Sequence, residues 1–226
     1  MQSAKRPSKV SKTSAAKRSH KEFRHSYMKL KKGKQGRLLV ITGPSGVGKG
    51  TLVKRLLAEV PGIKKSVSVT TRELRPGEIE GVHYLFRSTE QFMEMVKHGQ
   101  FMEWAEFAGN FYGTPKKWVE EETANGFDVI LEIEVQGAKQ IRERHPQALL
   151  IFLSPPSFEA LKERLEGRAT ESPDKLALRL AKAKQEMKEK SLFQYEVVND
   201  NIEEAVNKLL DIVYSERRDS ACGGTE

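Results

Sequence analysis

The sequence predicts an α/β fold, a parallel sheet flanked by helices, on three observations. An apolar run at residues 37–42 (RLLVIT) passes directly into a glycine-rich turn and then into apolar residues at helical spacing. Further apolar runs at residues 128–134 (DVILEIE) and 147–153 (QALLIFL) alternate with helical patterns, the rhythm of strands joined by crossover helices. Two stretches, 66–118 and 158–181, break that rhythm and read as inserts.

At 226 residues the chain can hold one medium-sized domain with a buried core. Hydrophobic residues are 38% and charged residues 31%, which describes a globular protein with a charged surface. No apolar run reaches the length of a membrane span. The single cysteine, Cys222, lies beside Gly223 and Gly224, so neither a disulfide framework nor a cysteine metal site is expected. A reducing, cytoplasmic compartment is the corresponding expectation.

Taken in order, the elements begin after a basic leader. Residues 1–37 carry 13 Lys and Arg against one acid, Glu22, a balance of +12 that leaves −4 for the remainder of a chain whose total is +8. The globular part is therefore mildly acidic, which argues against a nucleic-acid surface on it. Residues 1–35 lack an apolar period and read as a disordered tail, with a nucleic-acid or membrane tether and an organelle leader as open alternatives. The first strand, 37–42, has the continuous apolar character of a strand buried on both faces. Leu52, Val53, Leu56, Leu57 and Val60 then mark a helix that Pro61-Gly62 stops. The core is assigned to 36–65, 119–157 and 182–216, with a strand at 195–198, a last helix to 216 and a flexible end at 217–226. The insert 66–118 has alternating strand pattern and both tryptophans, a small mixed α+β lobe. The insert 158–181 is charged and helical, with Ser157 as its N-cap.

Between the first strand and helix lies Gly43-Pro44-Ser45-Gly46-Val47-Gly48-Lys49-Gly50-Thr51, close to the phosphate-loop pattern G-x-x-x-x-G-K-[ST] in its strand-to-helix setting. Its glycines let backbone N–H groups curl round a phosphate, and Lys49 adds a point charge. The sheet is thus of the P-loop NTPase type, and ATP is the expected ligand of residues 43–51. Gly50 stands where Ser or Thr normally meets Mg2+, with the hydroxyl one place later at Thr51, so the direct metal ligands stay unassigned. The ending G-K-G-T resembles the loops of nucleoside monophosphate kinases.

The lobe sets Arg72 and Arg75 just before a turn, in SVTTRELRPGE, and arginine forks fit oxyanions. With EWAEFAGNFYGTP, LEIEVQGA, LKERLEGR and Val198-Asn199-Asp200, these motifs closely resemble the guanylate kinase family from about Gly36 to Glu216. The resemblance implies that the lobe holds GMP, its phosphate on Arg72, Arg75, Tyr84 and Tyr112 and its base on Glu103, Ser68 and Thr114. A carboxylate at Glu103 would accept the guanine N1–H and N2–H, a donor pair adenine lacks. Glu132 and Glu134, where the family often has Asp, would face the substrates as base, arginine anchor or water-mediated Mg2+ partner.

The charged insert matches the family's lid, with Arg164, Arg168 and Arg179 closing on the phosphates around Lys49 and Arg72, although spacing alone reads as a solvated helix face. Ala169 replaces a glycine that often follows the lid arginine. Asn199 is a candidate contact for adenine of ATP. The implied activity is ATP + GMP = ADP + GDP with Mg2+. A non-catalytic protein-binding relative is the alternative, against which Lys49 and the lid arginines are intact. Monomer and homo-oligomer both remain open.

Overall fold

The computed structural model describes residues 35–167 and 173–222. Its larger sheet is parallel throughout, in the order β2 (Ile63–Lys65), β7 (Asp128–Glu132), β1 (Leu38–Thr42), β8 (Leu149–Ser154), β9 (Tyr195–Val198). The central strand shows why its sequence lacks polar alternation. Leu39 and Ile41 enter one apolar cluster with Leu52, Leu56, Ile151 and Leu209, while Leu38 and Val40 enter another with Val129, Leu131, Ile141 and Phe152. Both faces are covered, so every position must be apolar. Helices α1 (Lys49–Glu59) and α7 (Ile202–Cys222) supply residues to the first cluster, and α4 (Val135–Arg144) to the second.

The expected alternation is present, and β2 adds a short strand not read from the sequence, with Lys65 and only three residues of weak pattern. The small lobe is a four-stranded mixed sheet in the order β4 (Leu85–Phe86), β3 (Val69–Thr70), β6 (Asn110–Pro115), β5 (Phe101–Phe107), with α2 (Thr89–Lys97) against it. An aromatic core holds it together: Phe92 stacks on Phe101 and Phe111 at centroid distances of 4.6 and 5.6 Å, with Trp104 edge-on. Ser88 and Gln91 form a reciprocal capping box at the start of α2. Helix α3 (Lys116–Ala124) then leads back to the main sheet.

The charged insert forms α5 (Phe158–Glu166), capped by Ser157 as its sequence suggests, and α6 (Pro173–Lys188), which runs beyond residue 181. Leu161, Leu165 and Ala183 join them. At the other end, the expectation of a flexible segment from residue 217 needs correction, because α7 continues to Cys222. The cause is tertiary: Arg217 is buried and its Nε donates to Asp128 Oδ2 at 2.7 Å, while Asp128 Oδ1 accepts the Arg37 N–H. Among the described residues no helix is long and apolar enough to cross a membrane.

Candidate active site

The site lies beyond the carboxyl ends of β1 and β7, where an open α/β sheet leaves a crevice. The loop from Gly43 to Gly48 turns tightly out of β1. Gly43 has φ +145°, and a Cβ there would collide with the Leu153 carbonyl oxygen of the neighbouring strand. Gly48 has φ +96° and opens α1, where a Cβ would lie 2.6 Å from Asn199 Nδ2. Both positions accept only glycine without strain. Pro44 accepts the Val47 N–H, and Gly46 packs on Leu165 of α5. Lys49 Nζ folds over the loop, donating to the Gly43 carbonyl at 2.7 Å and standing 3.9 Å from Glu134 Oε1.

Two predicted residues brace this loop. Arg179 of α6 donates to Ser45 Oγ at 2.7 Å, bringing a cation of that helix directly onto the loop. Asn199 uses its amide to donate to the Val47 carbonyl at 2.8 Å, and its own carbonyl accepts from Arg164 at 3.0 Å. Asn199 is therefore a strut between α5 and the phosphate loop, a role its sequence position does not disclose. Gly50 and Thr51 follow on α1, Thr51 exposed, and Arg168 lies outside the described residues.

In the small lobe, Arg72 is held before any ligand arrives. Its Nη1 and Nη2 donate to Glu78 at 2.9 and 2.7 Å, and Nη1 also donates to the Glu73 carbonyl. The guanidinium stands over the Tyr84 and Phe86 rings, 5.3 and 5.8 Å from their centroids. The fork to Arg72 holds the Glu78 carboxyl below the usual range. Glu78 was not singled out from the sequence, although its place two residues after Pro76 made it available. Tyr84 and Tyr112 meet edge to face at 6.0 Å, and burial first, then the neighbouring Tyr112, pushes the Tyr84 phenol up to about 12. The Tyr84 hydroxyl thus remains a donor at neutral pH beside Arg72, with Arg75 exposed on the same turn.

Glu103, on β5, is 3% exposed, and its Oε1 accepts the Thr114 hydroxyl across the β5–β6 ladder at 2.6 Å. Burial raises its carboxyl to about 7, against the lowering pull of Thr114. Ser68 is half-buried at the entrance to β3, its carbonyl accepting the Leu85 N–H. A buried carboxylate beside a hydroxyl is the acceptor surface that a paired N–H donor needs.

Glu134 joins the two halves. It is the N-cap residue of α4, its Oε2 is buried without a hydrogen-bond partner, and its charge is felt by Lys49's side of the crevice and by Glu103 and Tyr84 in the lobe. Glu132 ends β7 with Oε2 on Lys65 at 2.7 Å, while its Oε1 stands 3.4 Å from where a Cβ on Gly50 would be. Another buried carboxylate, Glu186 of α6, was not singled out from the sequence, where it stands among Lys182, Lys184, Lys188 and Glu189. Burial, then Glu134, raises it to about 7, with Lys49 and Lys182 opposing and Glu189 reinforcing.

A glycine-rich strand-to-helix loop, a lysine at its end and a separate small lobe bearing the Arg72–Glu78 fork are the parts of a P-loop phosphotransferase. The chain matches the guanylate kinase family model over residues 35–216. It is 51% identical over 183 residues to a guanylate kinase of Symbiobacterium thermophilum, covering 81% of this chain and 87% of that one, and 53% identical over 175 residues to one of Prochlorococcus marinus, covering 77% and 93%. The crystal structure of guanylate kinase from Anaplasma phagocytophilum superposes with a TM-score of 0.70 at 34% identity, covering 83% of this chain and 89% of the other. The chain belongs to the guanylate kinase family.

Proposed function

We infer that the protein transfers the γ-phosphoryl group of ATP to GMP, giving ADP and GDP, and so serves purine nucleotide metabolism and the recycling of GMP. In the reaction a GMP phosphate oxygen forms a bond to the γ-phosphorus as the bond to the β,γ-bridging oxygen breaks. The observation that carries this reading is the junction at Glu134, which sets the phosphate-loop lysine against the buried acceptor carboxylate Glu103. Phosphoryl transfer needs in-line placement and positive charge more than covalent help. Lys49 would leave the loop carbonyls for the β and γ phosphates. Arg179, already on Ser45, and Arg164, on Asn199, would swing or tighten with Arg168 as α5 and α6 close, and would exclude water from the donor.

On the acceptor side, three of the Arg72 N–H groups bond Glu78 and Glu73, which fixes its plane before phosphate binds. Arg75, Tyr84 and Tyr112 complete that subsite, and Glu103, Thr114, Ser68 and Glu134 face the base.

Mg2+ would enter with ATP. Among the described residues no three His, Cys, Asp or Glu gather to hold a metal. The donor chemistry fits a hard cation held mainly by phosphate and water oxygens, with Glu132 Oε1 beside Gly50 and Glu134 as the carboxylates on the protein side. Bound there, the ion supplies charge neutralisation at the phosphates. Titration calorimetry with GMP and AMP tests the reading: heat with GMP and none with AMP at equal concentration is expected, and equal binding would contradict the acceptor assignment.

A further inference from the structure

Helix α4 carries a residue that helix propensity does not favour. Gly137 is the third residue of Val135–Arg144, and its φ is not among the positive values that would call for glycine. Inside a helix glycine costs roughly 0.5–1 kcal/mol relative to alanine. Space supplies the reason. A Cβ on Gly137 would collide with Glu103 Oε2 and lie 2.8 Å from its Cδ. The Glu103 carboxylate therefore occupies the volume that any side chain at 137 would fill.

Glu103 has little room to yield. Its Oε1 is tied to Thr114, whose residue is fully buried, and the strand on either side of it is fastened to the same helix. Gln140, one turn after Gly137, donates to the Trp104 carbonyl at 2.6 Å and accepts the Trp104 N–H, while Arg144 donates to the Met102 carbonyl at 3.0 Å. Strand β5 cannot retreat from α4 without breaking these bonds, so a methyl group at 137 must turn the carboxylate itself.

We propose that Gly137 is a specificity-determining positioning residue: its missing side chain admits the Glu103 carboxylate between β5 and α4, and that placement sets the preference for guanine over adenine. The inference rests on the reading of Glu103 as the base acceptor. It acts through Glu103 and touches no substrate.

The test is Gly137→Ala in the full chain, with steady-state kinetics for GMP, AMP and ATP beside a melting curve. The melting temperature should fall modestly, because displacing the held carboxylate costs more than the better helix former regains. The KM for ATP should stay within about twofold, while the KM for GMP rises by roughly tenfold or more and the GMP-to-AMP ratio of kcat/KM falls by a similar factor. A folded variant with the wild-type KM for GMP and the wild-type ratio would overturn the proposal. If Gly137→Ala does not fold, Glu103→Ala in the same chain should restore the melting transition by removing the collision, and failure to do so would overturn it equally. Glu103→Gln in the wild-type background separates the underlying reading: full guanine selectivity there would mean that Glu103 does not read the base, whatever Gly137 does.

Discussion

A carboxyl group such as Glu103, buried among β5, β6 and α4, stays protonated to about pH 7, whereas its ordinary value is 4.5. Reading a pair of N–H donors requires the ionised form. The sign follows directly: below 7 the free enzyme holds a proton on Glu103 that GMP binding must displace, and above 7 it does not. The kcat/KM for GMP should therefore climb by up to about tenfold per pH unit below 7 and level off above it, and Glu103→Gln should lose that limb together with most GMP use. A profile flat from pH 5.5 to 8 in the wild type would contradict the assignment. At the phosphate loop, Lys49→Ala should lower kcat by roughly a hundredfold or more with little change in the melting curve, since its ammonium bonds loop carbonyls and stands near Glu134 in the resting state. Such residues were legible because their chemistry is local: glycines, lysine and the strand-to-helix context lie within nine positions. The bracing of the loop by Asn199 was not, since Val47 and Asn199 are 152 positions apart and only the folded chain brings them together.

Helix α6 illustrates what periodicity conceals. Its charged pattern suggests a solvated face, yet Glu186 is 6% exposed and faces Glu134 and Lys49 across the crevice, with Lys182 one turn before it and Glu189 beyond it. Its folded value of about 7 lies above the ordinary 4.5, so the stability it contributes is complete below pH 4.5 and is lost as pH rises through 7. Glu186→Gln should thus melt higher than wild type at pH 8, with the difference closing toward pH 5, and the gap between the two proteins isolates this residue from Glu103. An equal gap at both pH values would show that packing rather than charge decides. Strand β2 was illegible for a related reason: Ile63–Lys65 is short, and its pairing with β7 rather than its own pattern makes it a strand.

Across the whole molecule, the alternation of apolar runs and helices, the mixed lobe and the two-helix insert were legible, because burial on both faces of the sheet writes itself into the sequence as unbroken apolar runs. The extension of the last helix past residue 216 was not, since a distant pair anchors it. Arg217 and Asp128 are almost wholly buried together, with side-chain exposures of 2% and 1%, and join α7 to the start of β7. Arg217→Ala should cost about 3–5 kcal/mol in urea denaturation by removing the buried guanidinium paired with Asp128, and a loss near zero would show that the remaining contacts of Asp128 suffice. All of these parts serve one claim, that the crevice joins ATP on the phosphate loop to GMP in the lobe. The most direct test is release of ADP from Mg2+ and ATP with GMP, AMP, UMP or TMP supplied in turn, against a blank without acceptor. Release that depends on GMP alone is the expected result, and folded protein that releases no ADP with any acceptor, or releases it equally with all four, would contradict the account.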